Sequence, residues 1–441
     1  MGAGWIPLSW RNCLTSVNLR QMVPRPVALV SAAVALSLLG DSLLYAVLPS
    51  QAEGIGVPIG LVGVLLSVNR FIRLLSNSWA GSICDRFGYA RPFTAALLLG
   101  AATTAVCGIA SGFWLLFVAR VLWGVSWSFL RVGGLGTVIN HASDHDRGML
   151  MGFFLGISRL GSLAAVALGG LLTDALGYRP TLLLFAALSA MAAAISAPSG
   201  GRTNPSPKAH HPHRLPEGYS NVGLPLGRPL LDATDMVIRH RLRAVYACGF
   251  AHGFVMSGVV TATLGLLLKT LYGLSISIRG MSLGIATVTG LLLSSRWLID
   301  FGLGPYLGHV SDRLGRHWVI LAAFLTAALA LTVFASVRAL GPLSLATVAI
   351  FASGTALSAA LDASLGDLAR PGQQARIIGS YTTFQDLGAA CGPLMGYAFG
   401  VWLGLGVMYG LGVGFLVAAA ALYGRIFMKR PPTEALDSHE A

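Results

Sequence analysis

Twelve times along this chain the sequence stays apolar for roughly the twenty residues a helix needs to cross a bilayer. The windows are 27–48, 58–80, 93–111, 114–139, 148–172, 180–197, 244–268, 277–301, 317–336, 342–364, 377–400 and 404–424. In lipid a backbone must satisfy its own N–H and C=O groups, so each window is expected to be a spanning helix. Pro49, Pro58, Pro92, Pro180, Pro305 and Pro342 fall at window ends, where a missing N–H costs least. Charged residues make up 11% of the chain, against about 25% in soluble domains, so charge cannot cover a water-facing surface of this size. A soluble enzyme, a disordered protein and a fibrous protein are thereby excluded.

The net charge of +13 would suggest a nucleic-acid partner if it formed a folded basic face. It does not. Of the 30 Lys and Arg residues, 20 fall in the termini and alternate connections on one side. Four (Arg179, Lys269, Arg338 and Arg279, the last at the edge of its window) fall on the other side, and six lie deeper inside the windows. Positive charge collects on the inner side of membrane proteins, so both termini are expected to be cytoplasmic, with the bilayer and not nucleic acid as partner. Residues 1–26 are polar and basic and precede a run long enough to span, which reads as an uncleaved first helix. The five cysteines (13, 84, 107, 248, 391) show no metal or disulfide spacing, and neither a metal nor a cofactor is expected.

One stretch breaks the apolar rhythm. Residues 198–243 are rich in Pro, His, Arg and Gly and read as a cytoplasmic linker. His210, His211 and His213 cluster there, but interleaved prolines and the lack of an acidic or Cys partner favour a solvated segment over a metal site. The chain thus divides into an N-terminal segment 1–26, a bundle 27–197, the linker, a second bundle 244–424 and a tail 425–441.

The two bundles repeat. GSICDRFG at 81–88 matches GHVSDRLG at 308–315. Gly152, Gly161 and Gly169 match Gly379, Gly388 and Gly396 at the same offset in numbering. A constant offset across separated motifs points to a duplicated six-helix unit, and such repeats place a site between the halves in secondary transporters.

On these residues the chain resembles the major facilitator superfamily over essentially its whole length. Gly81, Asp85, Arg86, Gly88 and Arg91 are similar to that family's signature loop between the second and third helices. Gly308, Asp312, Arg313, Gly315 and Arg316 resemble its partial second copy. Arg120-x-x-Trp123-Gly124 and Leu39-Gly40-Asp41 are similar to motifs of the twelve-helix drug:proton antiporter branch. Trp123 departs from that branch's Gln, and Ser162 follows Gly161 where it has Pro. The resemblance implies an all-α membrane protein of twelve transmembrane helices in two pseudo-symmetric six-helix bundles.

Ionisable side chains at membrane depth are costly, so each is expected to pair or to line water. Asp41 is the expected proton carrier, and Arg120 its partner, because making and breaking such a pair moves a carboxyl's proton affinity. Asn69, Arg70, Arg73, Trp123, Trp127 and Arg131 are expected around a substrate cavity. Those of the second helix recur every third or fourth position, which puts them on one face. The family's helix pairing implies an interdomain gate of Arg159, Asp300, Arg296 and Asp386, with Arg159–Asp300 and Arg73–Asp386 contacts. No GxxxxGK[ST] motif occurs, so a proton gradient is the expected source of work.

The expected function is proton-coupled efflux of a small organic molecule across a bacterial inner membrane by a monomer. Uptake or export of an organic anion or metal chelate, a lipid-headgroup flippase, and a non-transporting sensor or assembly protein are the rivals. The surplus of intramembrane arginine favours an anionic or zwitterionic substrate.

Overall fold

The structure, a computed structural model, describes residues 23–143, 146–196, 228–278, 280–368 and 374–428. The histidine cluster of the linker lies outside them. Among the described residues twelve helical rods follow one another. The first six are α1 (Arg25–Gln51), α2 (Ile59–Phe87), α3 (Ala90–Ile109), α4 (Phe113–His141), α5 (Arg147–Leu176) and α6 (Tyr178–Ser196). In the second half α7 is a continuous rod of Arg228–His252, a π-helical stretch Gly253–Val260, and Thr261–Tyr272. α8 runs Ile285–Gly302 and resumes as Gly304–Leu314. α9 (Arg316–Ser336), α10 (Leu340–Leu368), α11 (Gln374–Trp402) and α12 (Leu405–Phe427) complete it. An antiparallel hairpin, β1 (Ser275–Ile278) and β2 (Met281–Gly284), joins α7 to α8.

Among the described residues nine helices are long and apolar enough to cross a bilayer, and α6, α8 and α11 are shorter or interrupted by polar residues. The chain is a multi-pass membrane protein. Prolines open the rods as expected: Pro58 precedes α2, and Pro305 lies in the first turn of the resumed α8. α7 begins at Arg228, so its opening turns occupy ground the sequence assigns to the linker.

The sequence repeat is a repeat of contacts. Within the first half Gly161 of α5 lies on the backbone of Ala35 in α1; within the second, Gly388 of α11 lies on the backbone of Phe250 in α7. At Gly88 (φ +76°) and Gly315 (φ +89°) the chain turns through a conformation that favours glycine. The next residue then reaches the same place in each half. Tyr89 packs its ring where Gly136 of α4 has no side chain, and Arg316 donates to the carbonyl of Ala363 of α10 at 2.7 Å.

The halves meet on the face opposite the signature segments, here called the far face. A Cβ on Gly63 of α2 would strike the carbonyl of Pro393 in α11, and one on Gly290 of α8 would strike the carbonyl of Val166 in α5. These are the same contact twice: Gly63 becomes Gly290, and Val166 becomes Pro393, under the offset that carries Gly81 to Gly308. Gly170 of α5 likewise lies on the carbonyl of Ala286, and Gly265 of α7 abuts Pro49 of α1. Polar ties reinforce them. Asp174 of α5 accepts from the backbone N–H and the hydroxyl of Thr287, both at 2.6 Å, in the first turn of α8. A carboxylate there satisfies an orphan N–H and faces the positive end of the helix dipole. Lys269 donates to Glu53 at 2.9 Å, and this bond holds the Glu53 carboxyl below the usual glutamate range.

At the other face the pattern inverts. A Cβ on Gly81, Gly152, Gly308 or Gly379 would meet no atom within 4 Å. No close approach is made at Gly81 in this conformation. Asp85 and Arg91 are exposed, and Asp85 makes no ion pair among the described residues.

Gly290→Val is expected to push α8 off α5 and weaken far-face closure. Nitroxide labels at Gly54 and Gly341, both exposed on that face, should then report a longer and broader distance distribution than in the parent. An unchanged distribution would mean that the backbone contact does not hold the face shut.

Candidate functional site

Between the halves lies a cavity of two lobes. One, of about 680 Å³, is lined mainly by α5, α7, α8, α10 and α11. The other, of about 630 Å³, is lined by α1, α2, α4, α5, α7 and α8. They share Arg70, Leu155, Arg159, Arg296 and Trp297, which form the waist between them.

Asp41 lies on the wall of the second lobe and forms an ion pair with Arg120. The geometry starts from a glycine. Gly124 of α4 sits where a Cβ would come within 2.6 Å of the Asn69 carbonyl, so α4 touches the α2 backbone. One turn away on the same face, Arg120 then reaches the Leu65 carbonyl with its Nε at 3.0 Å and Asp41 with an Nη. Asn69 adds a bond to the same Asp41 oxygen at 3.1 Å. Arg120 is 2% exposed and the Asp41 side chain 12%, so the carboxylate is the member the cavity can reach. The spacing of Arg120 and Gly124 thus serves one contact: the glycine sets the distance and the arginine uses it.

The expected cavity residues divide. Arg70, Arg73, Trp127 and Arg131 line the second lobe. Asn69 and Trp123 are buried behind it, Asn69 on Asp41 and Trp123 stacked on Trp127 at 5.7 Å between centroids. Tyr45 fixes Arg70: it donates to the Leu66 carbonyl at 3.1 Å and accepts from Arg70 Nε at 3.0 Å.

The gate residues also reach the cavity, but their expected pairing is not made. Asp386 lies 3.6 Å from Arg131 of α4, not against Arg73. Asp300 accepts from Thr355 of α10 at 2.5 Å, and no ion pair joins it to Arg159 among the described residues. In this conformation Asp386 meets a first-half arginine other than the expected one, and Asp300 is bonded within its own half. Arg296 turns from Asp300, one turn along its own helix, and donates to Ser257 at 3.0 Å and Thr261 at 3.3 Å.

Two features of the site escaped the sequence, the π-helical stretch of α7 and the Asp174 latch. The π-helical stretch of α7 packs Gly258 against Gly392, next to Pro393 inside α11, and presents Met256 and Ser257 to the cavity. His252 is buried, bonded to Gln385 at 2.9 Å, and still borders the first lobe. Asp174 latches the far face. Of the contacts between the halves, Gly63 and Gly290 carried a usable signal, since each is the repeat partner of the other. No group of three or more His, Cys, Asp or Glu residues that could hold a metal occurs among the described residues.

Breaking the buried pair leaves a guanidinium without its counter-charge, a loss of about 3–5 kcal/mol for such pairs. Asp41→Asn and Arg120→Gln should each lower the thermal unfolding midpoint in detergent. The double variant should lose clearly less than the two losses added, because its members share one interaction. Additive losses would show that the pair is not energetically coupled.

A sequence model described as Major Facilitator Superfamily matches residues 30–300 and 283–441. The human chromaffin granule amine transporter is 33% identical over 135 residues, 30% of this chain and 26% of that protein. The rat vesicular acetylcholine transporter is 27% identical over 229 residues, 50% of this chain and 39% of that protein. The matches thus span well under half the length of these relatives. Among solved structures, a bacterial homolog of the human lysosomal transporter Spinster, inward-facing and occupied, superposes with a TM-score of 0.71. It is 15% identical, and the match covers 92% of this chain and 98% of that one. A POT family transporter in complex with 5-aminolevulinic acid reaches 0.69 at 13% identity, covering 91% and 96%. With its repeated six-helix halves, its cavity between them and a family match along nearly all its length, the chain belongs to the major facilitator superfamily.

Proposed function

We propose that this chain is a secondary active transporter that works by alternating access and exports a small organic molecule in exchange for protons. One observation carries the reading. Three helices, α2, α5 and α8, each bear a pair of glycines at positions i and i+18: Gly63 and Gly81, Gly152 and Gly170, Gly290 and Gly308. In α2 and α5 that spacing is about five helical turns, so each pair shares one helix face with its members about 27 Å apart, while in α8 the helix is interrupted at Leu303 between its two glycines. In every pair the far-face glycine is pressed on the opposite half and the other faces open space. A rocking of the halves about the waist exchanges the two sets, opening the cavity to the far face and closing it behind. By the Lys/Arg distribution the open face is the cytoplasmic one, in a bacterial inner membrane.

The charges fit the same cycle. The repeat that relates Gly81 to Gly308 also relates Arg73 to Asp300 and Arg159 to Asp386. Closure at the cytoplasmic face would bring Arg73 to Asp386 and Arg159 to Asp300 as two symmetry-related pairs of inverted sign. Asp85 and Arg86 of the signature segment would latch the same face. Asp41, on the cavity wall and paired with Arg120, is the proton carrier, and the cycle breaks and re-makes that pair. The relatives named as amine and acetylcholine transporters support transport of small organic molecules by a chain of this kind.

In proteoliposomes, an imposed pH gradient should drive accumulation of a transported compound, and addition of that compound should release protons from the loaded compartment. Asp41→Asn should abolish both while leaving compound binding within about threefold of the parent, since only the coupling step is lost. Proton flux that survives Asp41→Asn would assign the carrier elsewhere. Gly81→Val and Gly308→Val should block closure of the open face, giving protein that binds but does not turn over. Charge reversal at both Arg159 and Asp300 should restore transport lost in each single reversal.

A further inference from the structure

The waist of the cavity carries more positive charge than its walls neutralise. Among the described residues Arg70, Arg73, Arg159 and Arg296 line the cavity without an ion pair, against two such carboxylates, Asp300 and Asp362. Asp41 and Asp386 are already engaged by Arg120 and Arg131. Two of the free guanidiniums are held in place by neutral groups. Arg70, from the first half, is fixed through Nε by Tyr45, which is itself fixed by the Leu66 carbonyl. Arg296, from the second half, is fixed by Ser257 and Thr261, both belonging to or bordering the π-helical stretch of α7. Its guanidinium also lies 5.2 Å from the Trp297 ring.

Guanidiniums that bond only to hydroxyls keep donors for a planar, multivalent acceptor. Beside them the second lobe offers apolar surface: Trp127, Phe154, Leu155, Leu293 and Trp297. We propose that Arg70 and Arg296 together bind the acidic group of the transported molecule, so that the substrate is a small organic anion with an apolar body lying in the second lobe. This rests on the transporter reading and names its substrate class. It also gives binding a consequence. Arg70 and Arg296 belong to opposite halves, and an anion between them replaces a repulsion across the waist by two attractions. The loaded protein can then close on the cytoplasmic face, while the empty one is held open by its own charge.

The test uses two permanently charged probes that share a phenyl body, benzenesulfonate and benzyltrimethylammonium, with phenylphosphonate as a second anion. Quenching of tryptophan fluorescence is read on the purified full-length protein. The expected result is saturable binding of an anion that falls at least about tenfold in Arg70→Gln and in Arg296→Gln, with part of it regained in Arg296→Lys. Arg425→Gln, on α12 away from the cavity, should bind as the parent does. Saturable binding of benzyltrimethylammonium alone overturns the proposal, as does anion binding indifferent to both substitutions. So does the absence of saturable anion binding in protein that elutes as one folded species. The two readings fail separately. Proton-driven flux of the cation alone would sink the anion site and leave the transporter standing. Arginine-dependent anion binding without any flux would do the reverse.

Discussion

The closest contacts between the two halves of this protein are made by glycine on backbone. In a bilayer apolar side chains gain little by leaving lipid for another helix, so close approach has to come from packing of small residues. Gly63 on the Pro393 carbonyl and Gly290 on the Val166 carbonyl are that approach, made twice by a duplicated unit. A contact of this kind is tight when formed and leaves nothing behind when broken, because no side chain must be resolvated or repacked. The remaining features of the molecule, the open opposite face, the gate pairs left unmade and the accessible cavity, accompany this far-face seal.

The seal also explains why the cavity tolerates its charges. Helices bound together at glycine can carry arginine and aspartate a few turns away on faces that never meet lipid. Three kinds of partner recur among them. Asp41 is locked to Arg120 through a glycine-set distance, with Asn69 and the Leu65 carbonyl completing the shell. Asp386 and Asp300 rest on partners of the moment, Arg131 and Thr355. Arg70 and Arg296 rest on hydroxyls, which orient them without neutralising them. The first kind suits a proton carrier, the second a gate and the third a binding site.

Much of this is legible in the sequence. The apolar windows mark the helices, because lipid enforces hydrogen-bond closure within each one. The constant offset between repeated motifs marks the two halves. Asp41, Arg120 and the arginines of α2 stand out because ionisable groups in such windows are rare. Other placements were out of reach. Asn69 and Arg70 are neighbours in sequence, yet one is buried on Asp41 and the other faces the cavity; about a hundred degrees of helix rotation separates those roles. Trp123 and Trp127 share a helix face, but only Trp127 lines the main cavity, since Trp123 is stacked behind it.

The sequence by itself determined the number of helices, their division into two related bundles and the set of charges placed at membrane depth. These follow from local hydropathy and from internal repetition, and neither depends on how helices pack. Only the tertiary structure decided which charges meet. It showed that Arg73–Asp386 and Arg159–Asp300 stand apart, that Asp174 caps α8 across the interface, and that a π-helical stretch builds the cradle of Arg296. The physical reason is that an ion pair depends on a few ångströms between helices from different halves. That distance is set by which face of the molecule is closed, a property of the conformation and not of any one segment.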